Sequence, residues 1–226
     1  MKKIGFVVAM SREMKVFLDK LGRVELVSSC GFSIYKYLFD KVELYMVDAG
    51  VGEIASALAT FHLISEYKVD EIINFGVCGS LDNELDIADV VFVKSVYHFD
   101  RDTSTLDNCE VGYYPEWGEK YLSCDTNMLQ KAQSVTRAKE VICASSEKFV
   151  SDTATKSKLQ KEGAGICEME SAGVLLTCKR MNIPCLIVKA ISDKADESAV
   201  MSFNEMLSTA MQKCSDFIYS YVKSIQ

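Results

Sequence analysis

Four acids stand where short apolar runs end. Glu13 follows Ile4 to Met10, Glu168 and Glu170 flank Met169 after Gly165-Ile-Cys167, and Ser192-Asp193 follows Leu186 to Ile191. Carboxylates at such places lose water on folding, so they are either paired or held at raised pKa values that suit proton transfer. The spacing therefore points to acid–base chemistry on a small molecule. Taken singly, each acid reads equally well as a first-turn residue complementing a helix dipole. Their coincidence at strand ends favours a site.

Other residue types add less. Gly50-Val-Gly52 and Gly76-Val-Cys-Gly79 also follow apolar runs, where turns let backbone N–H groups approach an anion or a sugar. Neither completes a dinucleotide or P-loop pattern, and tight strand-to-helix turns explain both. His62 falls in a helical segment and reads as a packing or surface residue, while His98 stands at a strand–loop junction. Phe149, Tyr113, Tyr114 and Trp117 have faces on which a base can stack, although isolated aromatics more often pack.

The elements that must position these residues alternate. Ile4 to Met10, Leu44 to Asp48, Glu71 to Gly76, Val90 to Tyr97, Val141 to Ala144 and Cys185 to Ile191 are apolar without alternation, as in strands buried on both faces. Ile54, Leu58, Phe61 and Ser65 mark the face of a helix beginning after Gly52. Ala172, Leu175, Leu176 and Lys179 mark another, ending near Asn182-Ile-Pro184. Ser202-Phe-Asn-Glu205 has the form of a capping box, and apolar residues from Phe203 to Ile225 follow at helical spacing. The expected fold is α/β: one domain over residues 1–226, with a central, mostly parallel mixed twisted sheet between helices, and ligands at the carboxyl ends of the strands. His98 to Trp117 breaks the rhythm as a long polar and aromatic loop.

Composition narrows the classes. A hydrophobic share of 49%, with 25% charged residues, suits a chain that buries a sizeable core. The net charge of −7, with no basic patch, speaks against nucleic acid as a partner. No run approaches the ~18 apolar residues of a membrane span. Nine scattered cysteines with no C-x-x-C pair argue against a disulfide framework or a zinc site, and for a reducing, cytoplasmic location.

The string Ile166-Cys-Glu-Met-Glu-Ser-Ala172, then Val188-Lys-Ala-Ile-Ser-Asp193, with Ala9-Met-Ser-Arg-Glu13 and Gly76-Val-Cys-Gly79, resembles the nucleoside phosphorylase superfamily. Within it the likeness is to methylthioadenosine/S-adenosylhomocysteine nucleosidases, and it runs along nearly the whole chain. The resemblance implies a three-layer α/β/α domain that binds a purine nucleoside. It also implies that Asp193 protonates purine N7 and that Glu13 orients or deprotonates the attacking water. Glu170 and the Met169 backbone would hold the ribose hydroxyls. Phe149 would stack near the base and Val150 offer backbone hydrogen bonds to its edge, while Phe203 covers the 5′ side. Met10, Val77 and Ser192, from the same motifs, complete the expected substrate-binding set. The resemblance further implies a homodimer, in which His98 to Trp117 completes the neighbour's 5′ pocket, and a reaction needing no metal or organic cofactor.

Two positions bear on the nucleophile. Phosphorylases of the superfamily commonly place Arg where Asn74 stands and Ser where Val77 stands, so the usual phosphate contacts are missing and hydrolysis is favoured. The nucleosidases also usually carry that Ser, and Arg12 is a candidate phosphate contact, which keeps phosphorolysis as the alternative. A scaffold that binds a nucleoside without cleaving it is the third reading, motivated by Val77. The expected reaction is hydrolysis of 5′-modified adenine nucleosides to adenine and the free thioribose.

Overall fold

The structure, a computed structural model, describes residues 1–27 and 30–225. In chain order the elements are β1 (Lys2–Val8), α1 (Ser11–Leu21), β2 (Glu25–Leu26), β3 (Ser33–Phe39), β4 (Val42–Asp48), α2 (Glu53–His62), a π-helical turn (Leu63–Tyr67), β5 (Glu71–Ser80) and β6 (Val90–His98). There follow α3 (Ser104–Asp107), β7 (Tyr121–Ser123), α4 (Thr126–Val135), β8 (Lys139–Ser145), α5 (Thr153–Lys161), β9 (Ala164–Glu168), α6 (Ser171–Met181), β10 (Cys185–Asp193) and α7 (Ala199–Ser224).

All ten strands belong to one mixed sheet. Its middle is parallel: β4 pairs β1, β1 pairs β5, and β5 pairs β10. β10 then runs antiparallel to β6, which is parallel to β8, which is parallel to β9. β9 returns antiparallel to the end of β5 at Gly79 and Ser80. The strands β5, β10, β6, β8 and β9 thus close into a ring, and β1, β4, β3 and β2 extend from it as an open wing.

β5 and β10 are buried along their whole length, as their unbroken apolar runs predict. Helix α1 packs on the sheet through Met14, Phe17 and Leu21, spaced as one helix face. Phe17 meets Phe75 edge-on at 5.5 Å and Phe6 at 5.7 Å. Burying Phe17 stabilises this docking by about 2 kcal/mol, and it holds the first turn of α1 over β5. Helix α7 packs on β10, β5 and β6 and against α1, with Leu207, Ala210, Met211, Cys214, Phe217, Ile218 and Tyr221 inward.

Several sequence expectations need correction. β1 stops at Val8, because Met10 adopts the N-cap of α1. Gly76 to Gly79 lie inside β5 rather than in a turn. Helix α7 begins at Ala199, so Ser202 is an interior residue and no cap; Ser198 occupies the N-cap position. The face of α2 marked by Ile54, Leu58 and Phe61 points outward, with exposures of 72%, 59% and 50%. The buried face carries His62 together with Ser56, Ala59 and Thr60, and the small side chains of the last three let α2 lie close against α6. The segment from His98 to Trp117 is partly ordered by α3 and by the bridge from Tyr114 to Glu119. His62 is buried and makes ring contacts with Phe32 and Tyr67. No helix among the described residues is long and apolar enough to cross a membrane.

Candidate active site

The strand ends meet around a cavity of about 230 Å³. Glu13 and Met10 reach it from the start of α1, Val77 from β5, and Phe149 and Val150 from the β8–α5 connection. Met169 and Glu170 enter between β9 and α6, Ser192 and Asp193 at the end of β10, and Phe203 from α7. All ten residues expected in the site line this one cavity. Arg12, Val51, Lys148, Glu168, Cys78 and Cys167 also border it.

Glu13 is fully enclosed. Its Oε2 accepts the Met10 N–H at 3.1 Å, as a first-turn acid does, and its Oε1 accepts the Val77 N–H across the sheet at 2.9 Å. Burial raises its pKa to about 6, against the opposing pull of those N–H groups and of Lys189. Room for this carboxylate comes from Gly76, where a Cβ would lie 2.8 Å from Glu13 Oε1.

Asp193 is placed by a register shift in β10 between Ile191 and Asp193, a bulge that re-aims the last side chain of the strand. Its Oδ1 accepts the Ala195 N–H at 2.9 Å and its Oδ2 accepts the Ser192 hydroxyl at 2.9 Å. Burial raises its pKa, and these two donors only partly offset it. Gly79 leaves the space: a Cβ there would lie 2.8 Å from Asp193 Oδ1. The glycine signal in β5 thus reflects room for two carboxylates rather than a turn.

Glu168 and Glu170, two residues apart, are treated oppositely. Glu168 accepts the N–H groups of Glu170 and Ser171, capping α6, and pairs with the buried ammonium of Lys189 at 2.6 Å. Burial alone would raise its pKa, but Lys189 outweighs it and keeps the group ionised. The same pairing holds the Lys189 pKa above its ordinary value. Glu170 sits farther from the ammonium, at 3.8 Å, and accepts the Gly52 N–H at 3.1 Å. Burial lifts its pKa to about 8, so it carries a proton at neutral pH and can donate as well as accept. Sequence reasoning missed Lys189 as the organiser of this pair; a lysine inside an otherwise apolar strand was its signal.

At the open side, Phe149 and Phe203 meet edge-on at 6.0 Å, and the Arg12 guanidinium lies over Phe203 at 4.9 Å. Asn74 is buried and donates to the Val7 carbonyl at 2.9 Å. With Asn74 turned to the backbone and Val77 apolar, the β5 side of the cavity offers neither a cation nor a hydroxyl.

A closed group of strand ends that delivers buried, protonatable carboxylates into one small cavity defines an α/β acid–base site for a compact, partly apolar ligand. The chain belongs to the phosphorylase superfamily, whose family model matches residues 3–223. A 5′-methylthioadenosine/S-adenosylhomocysteine nucleosidase of Staphylococcus carnosus is 28% identical, over 98% of this chain and 100% of its own. The native structure of futalosine hydrolase from Helicobacter pylori superposes with a TM-score of 0.95 at 30% identity, covering 99% of this chain and 98% of that one. The 5′-methylthioadenosine/S-adenosylhomocysteine nucleosidase of H. pylori, solved with butyl-thio-DADMe-Immucillin-A, gives a TM-score of 0.95 at 29% identity, covering 99% of each chain. These relatives are nucleosidases and hydrolases, enzymes that cut N-glycosidic bonds with water.

Proposed function

We propose that this chain hydrolyses the N-glycosidic bond of 5′-modified adenine nucleosides, methylthioadenosine and S-adenosylhomocysteine, releasing adenine and the free thioribose. The observation that carries the reading is the pair Glu13 and Asp193, two buried carboxylates with raised pKa values on one cavity. Breaking the bond builds positive charge on the ribose and negative charge on the base. Asp193, whose burial raises its pKa and so favours its protonated form, donates to N7 of the leaving purine. Glu13, ionised above pH 6, takes a proton from the attacking water and steadies the cationic sugar. Glu170 and the Met169 backbone hold the ribose hydroxyls, with Met10 and Val77 against the sugar. Phe149 and Val150 take the base, Ser192 orients Asp193, and Phe203 covers the 5′ group. The reaction calls on no cofactor.

Arg12 and Lys148 at the cavity border support a 5′ group ending in a carboxylate, as in S-adenosylhomocysteine. The phosphorylase reading has less support, because Asn74 and Val77 supply no phosphate contact. The outward stripe of Ile54, Leu58 and Phe61 on α2, adjoining Val51 of the cavity border, supports a homodimer in which the partner's segment 98–117 closes the 5′ side. In this reading residues 1–226 act as one domain in the cytoplasm.

The test is to incubate the chain with methylthioadenosine, with and without phosphate, and to separate the products. Adenine and methylthioribose released without phosphate support hydrolysis. Methylthioribose 1-phosphate formed only with phosphate moves the reading to phosphorolysis, and a nucleoside bound but intact moves it to a binding protein. Asp193→Asn should lower kcat by about 100-fold or more; full activity in that variant overturns its role as the acid.

A further inference from the structure

Outside the cavity, three ligand-type side chains converge where the segment after β6 meets the N-terminus of α2. His98 Nε2 lies 2.8 Å from Glu53 Oε2 and 2.9 Å from Asp100 Oδ1. An imidazole nitrogen carries at most one proton, and one N–H cannot point well at two carboxylates. Separations near 3 Å are instead those of neighbouring ligands around an ion with bonds of about 2.1 Å. The three ligand atoms lie within 4.8 Å of one another.

The surroundings fit a ligand set rather than a hydrogen-bonded cluster. Glu53 is 93% buried, being 7% exposed, yet its Oε1 has no hydrogen-bond partner; Ser145 stands beside the carboxylate without closing one to that oxygen. His98 is oriented from behind, with its Nδ1 2.7 Å from the Tyr114 hydroxyl, as metal-bound imidazoles are oriented by an outer partner. Asp100 is fixed by the Glu147 N–H at 3.0 Å, and Glu147 brings a further carboxylate to the N-terminus of α2. Arg101, the nearby cation in sequence, lies over the Tyr114 ring at 4.5 Å and donates to the Tyr113 carbonyl instead of balancing these acids. Asp100, 39% exposed, leaves a path from solvent.

We propose that Glu53, His98 and Asp100 bind a divalent first-row cation, with zinc or manganese suited to one nitrogen and two carboxylate donors. The ion would complete the coordination of Glu53 and staple the start of the 98–117 segment to α2. It lies one residue from Gly52, whose N–H holds Glu170. Its role is structural, and the inference stands whether or not the proposed reaction is correct.

The experiment is to strip the full chain with chelator and titrate it with Mn²⁺, reading bound metal by electron paramagnetic resonance and imidazole ligation by the coupling of its nitrogen nucleus. A parallel titration with Zn²⁺ is followed by calorimetry. One ion per chain with a nitrogen coupling is expected, weakened about 100-fold or more in His98→Ala and in Glu53→Gln. A thermal melt of each stripped variant verifies folding, and His98→Gln serves where His98→Ala fails to fold. No binding of either metal, or equal binding by the folded variants, overturns the proposal. So does an NMR titration in which His98 still gains and loses its proton with metal present, which would make it an imidazolium clamp between two acids.

Discussion

Glu13 accepts the backbone N–H of Val77 at 2.9 Å, so the first turn of the first helix is bonded directly to the middle of the longest strand. That bond aims the carboxylate and opposes its protonation, yet burial prevails and sets its pKa at about 6. If Glu13 is the base, kcat/KM falls as pH drops through about 6, because the ionised fraction of Glu13 falls there. Measuring kcat/KM from pH 4.5 to 9 tests this; a Glu13→Gln variant that keeps the same acidic limb would sink the assignment.

Glu170 gives a prediction of opposite flavour, about stability. Its folded pKa, about 8, lies above the ordinary 4.5, so the folded chain holds this proton more tightly than the unfolded chain. Below pH 4.5 both states are protonated and nothing is lost; as pH rises from 4.5 to 8 the unfolded state releases its proton first and stability declines. Glu170→Gln removes this cost, so the variant should gain on the parent across that window, by about 4 kcal/mol at its upper end. Urea unfolding at pH 5 and pH 8 measures the difference, and a gain that is equal at the two pH values refutes the account. KM should rise in the same variant if the group holds ribose.

Lys189 and Glu168 are both buried, and they face each other at 2.6 Å. Replacing only the lysine, as in Lys189→Met, strands an ionised carboxylate and should destabilise the fold by about 3–5 kcal/mol. The double variant with Glu168→Gln should recover much of that loss. Equal instability of the single and double variants would show that the lysine's packing, and not its charge, is what the fold needs.

Gly79 offers a way to disturb the acid without removing it. An added methyl would lie 2.8 Å from Asp193 Oδ1 and 3.1 Å from the Ala195 Cβ, so Gly79→Ala must displace one of them. Activity should drop about 100-fold, since small misplacements of reacting groups cost that much, while the melting curve moves far less than in the Lys189 variant. Undiminished kcat would mean that Asp193 has freedom the packing does not suggest.

Much of this was legible in the sequence, for identifiable reasons. β5 and β10 are buried on both faces, so their apolar runs stood out, and the acids at their ends were visible as acids. β3 escaped notice because Ser33–Phe39 is half-buried and rich in tyrosine, without a continuous apolar run. Which way the stripe of α2 faces was not legible, because its outward residues are the larger hydrophobes and helical periodicity alone does not say what covers a stripe. Gly76 and Gly79 announced themselves as glycines. Their reason was hidden, because the side chains needing the room lie far away in sequence, at Glu13 and Asp193. Glu53, buried beside His98, carried no sequence signal beyond a first-turn acid.

The closed ring of β5, β10, β6, β8 and β9 also bears on how the molecule is made. Its last strand to be synthesised, β10, is inserted between β5 and β6, which precede it by most of the chain's second half. A growing chain that has not yet reached Cys185 therefore presents two long, apolar strands with a shared gap in the middle of the sheet, the kind of open edge that recruits other chains. The same late strand carries Asp193. Closure of the ring and completion of the carboxylate pair are thus a single event, and a chain that stops short of Cys185 is both sticky and without its second carboxylate.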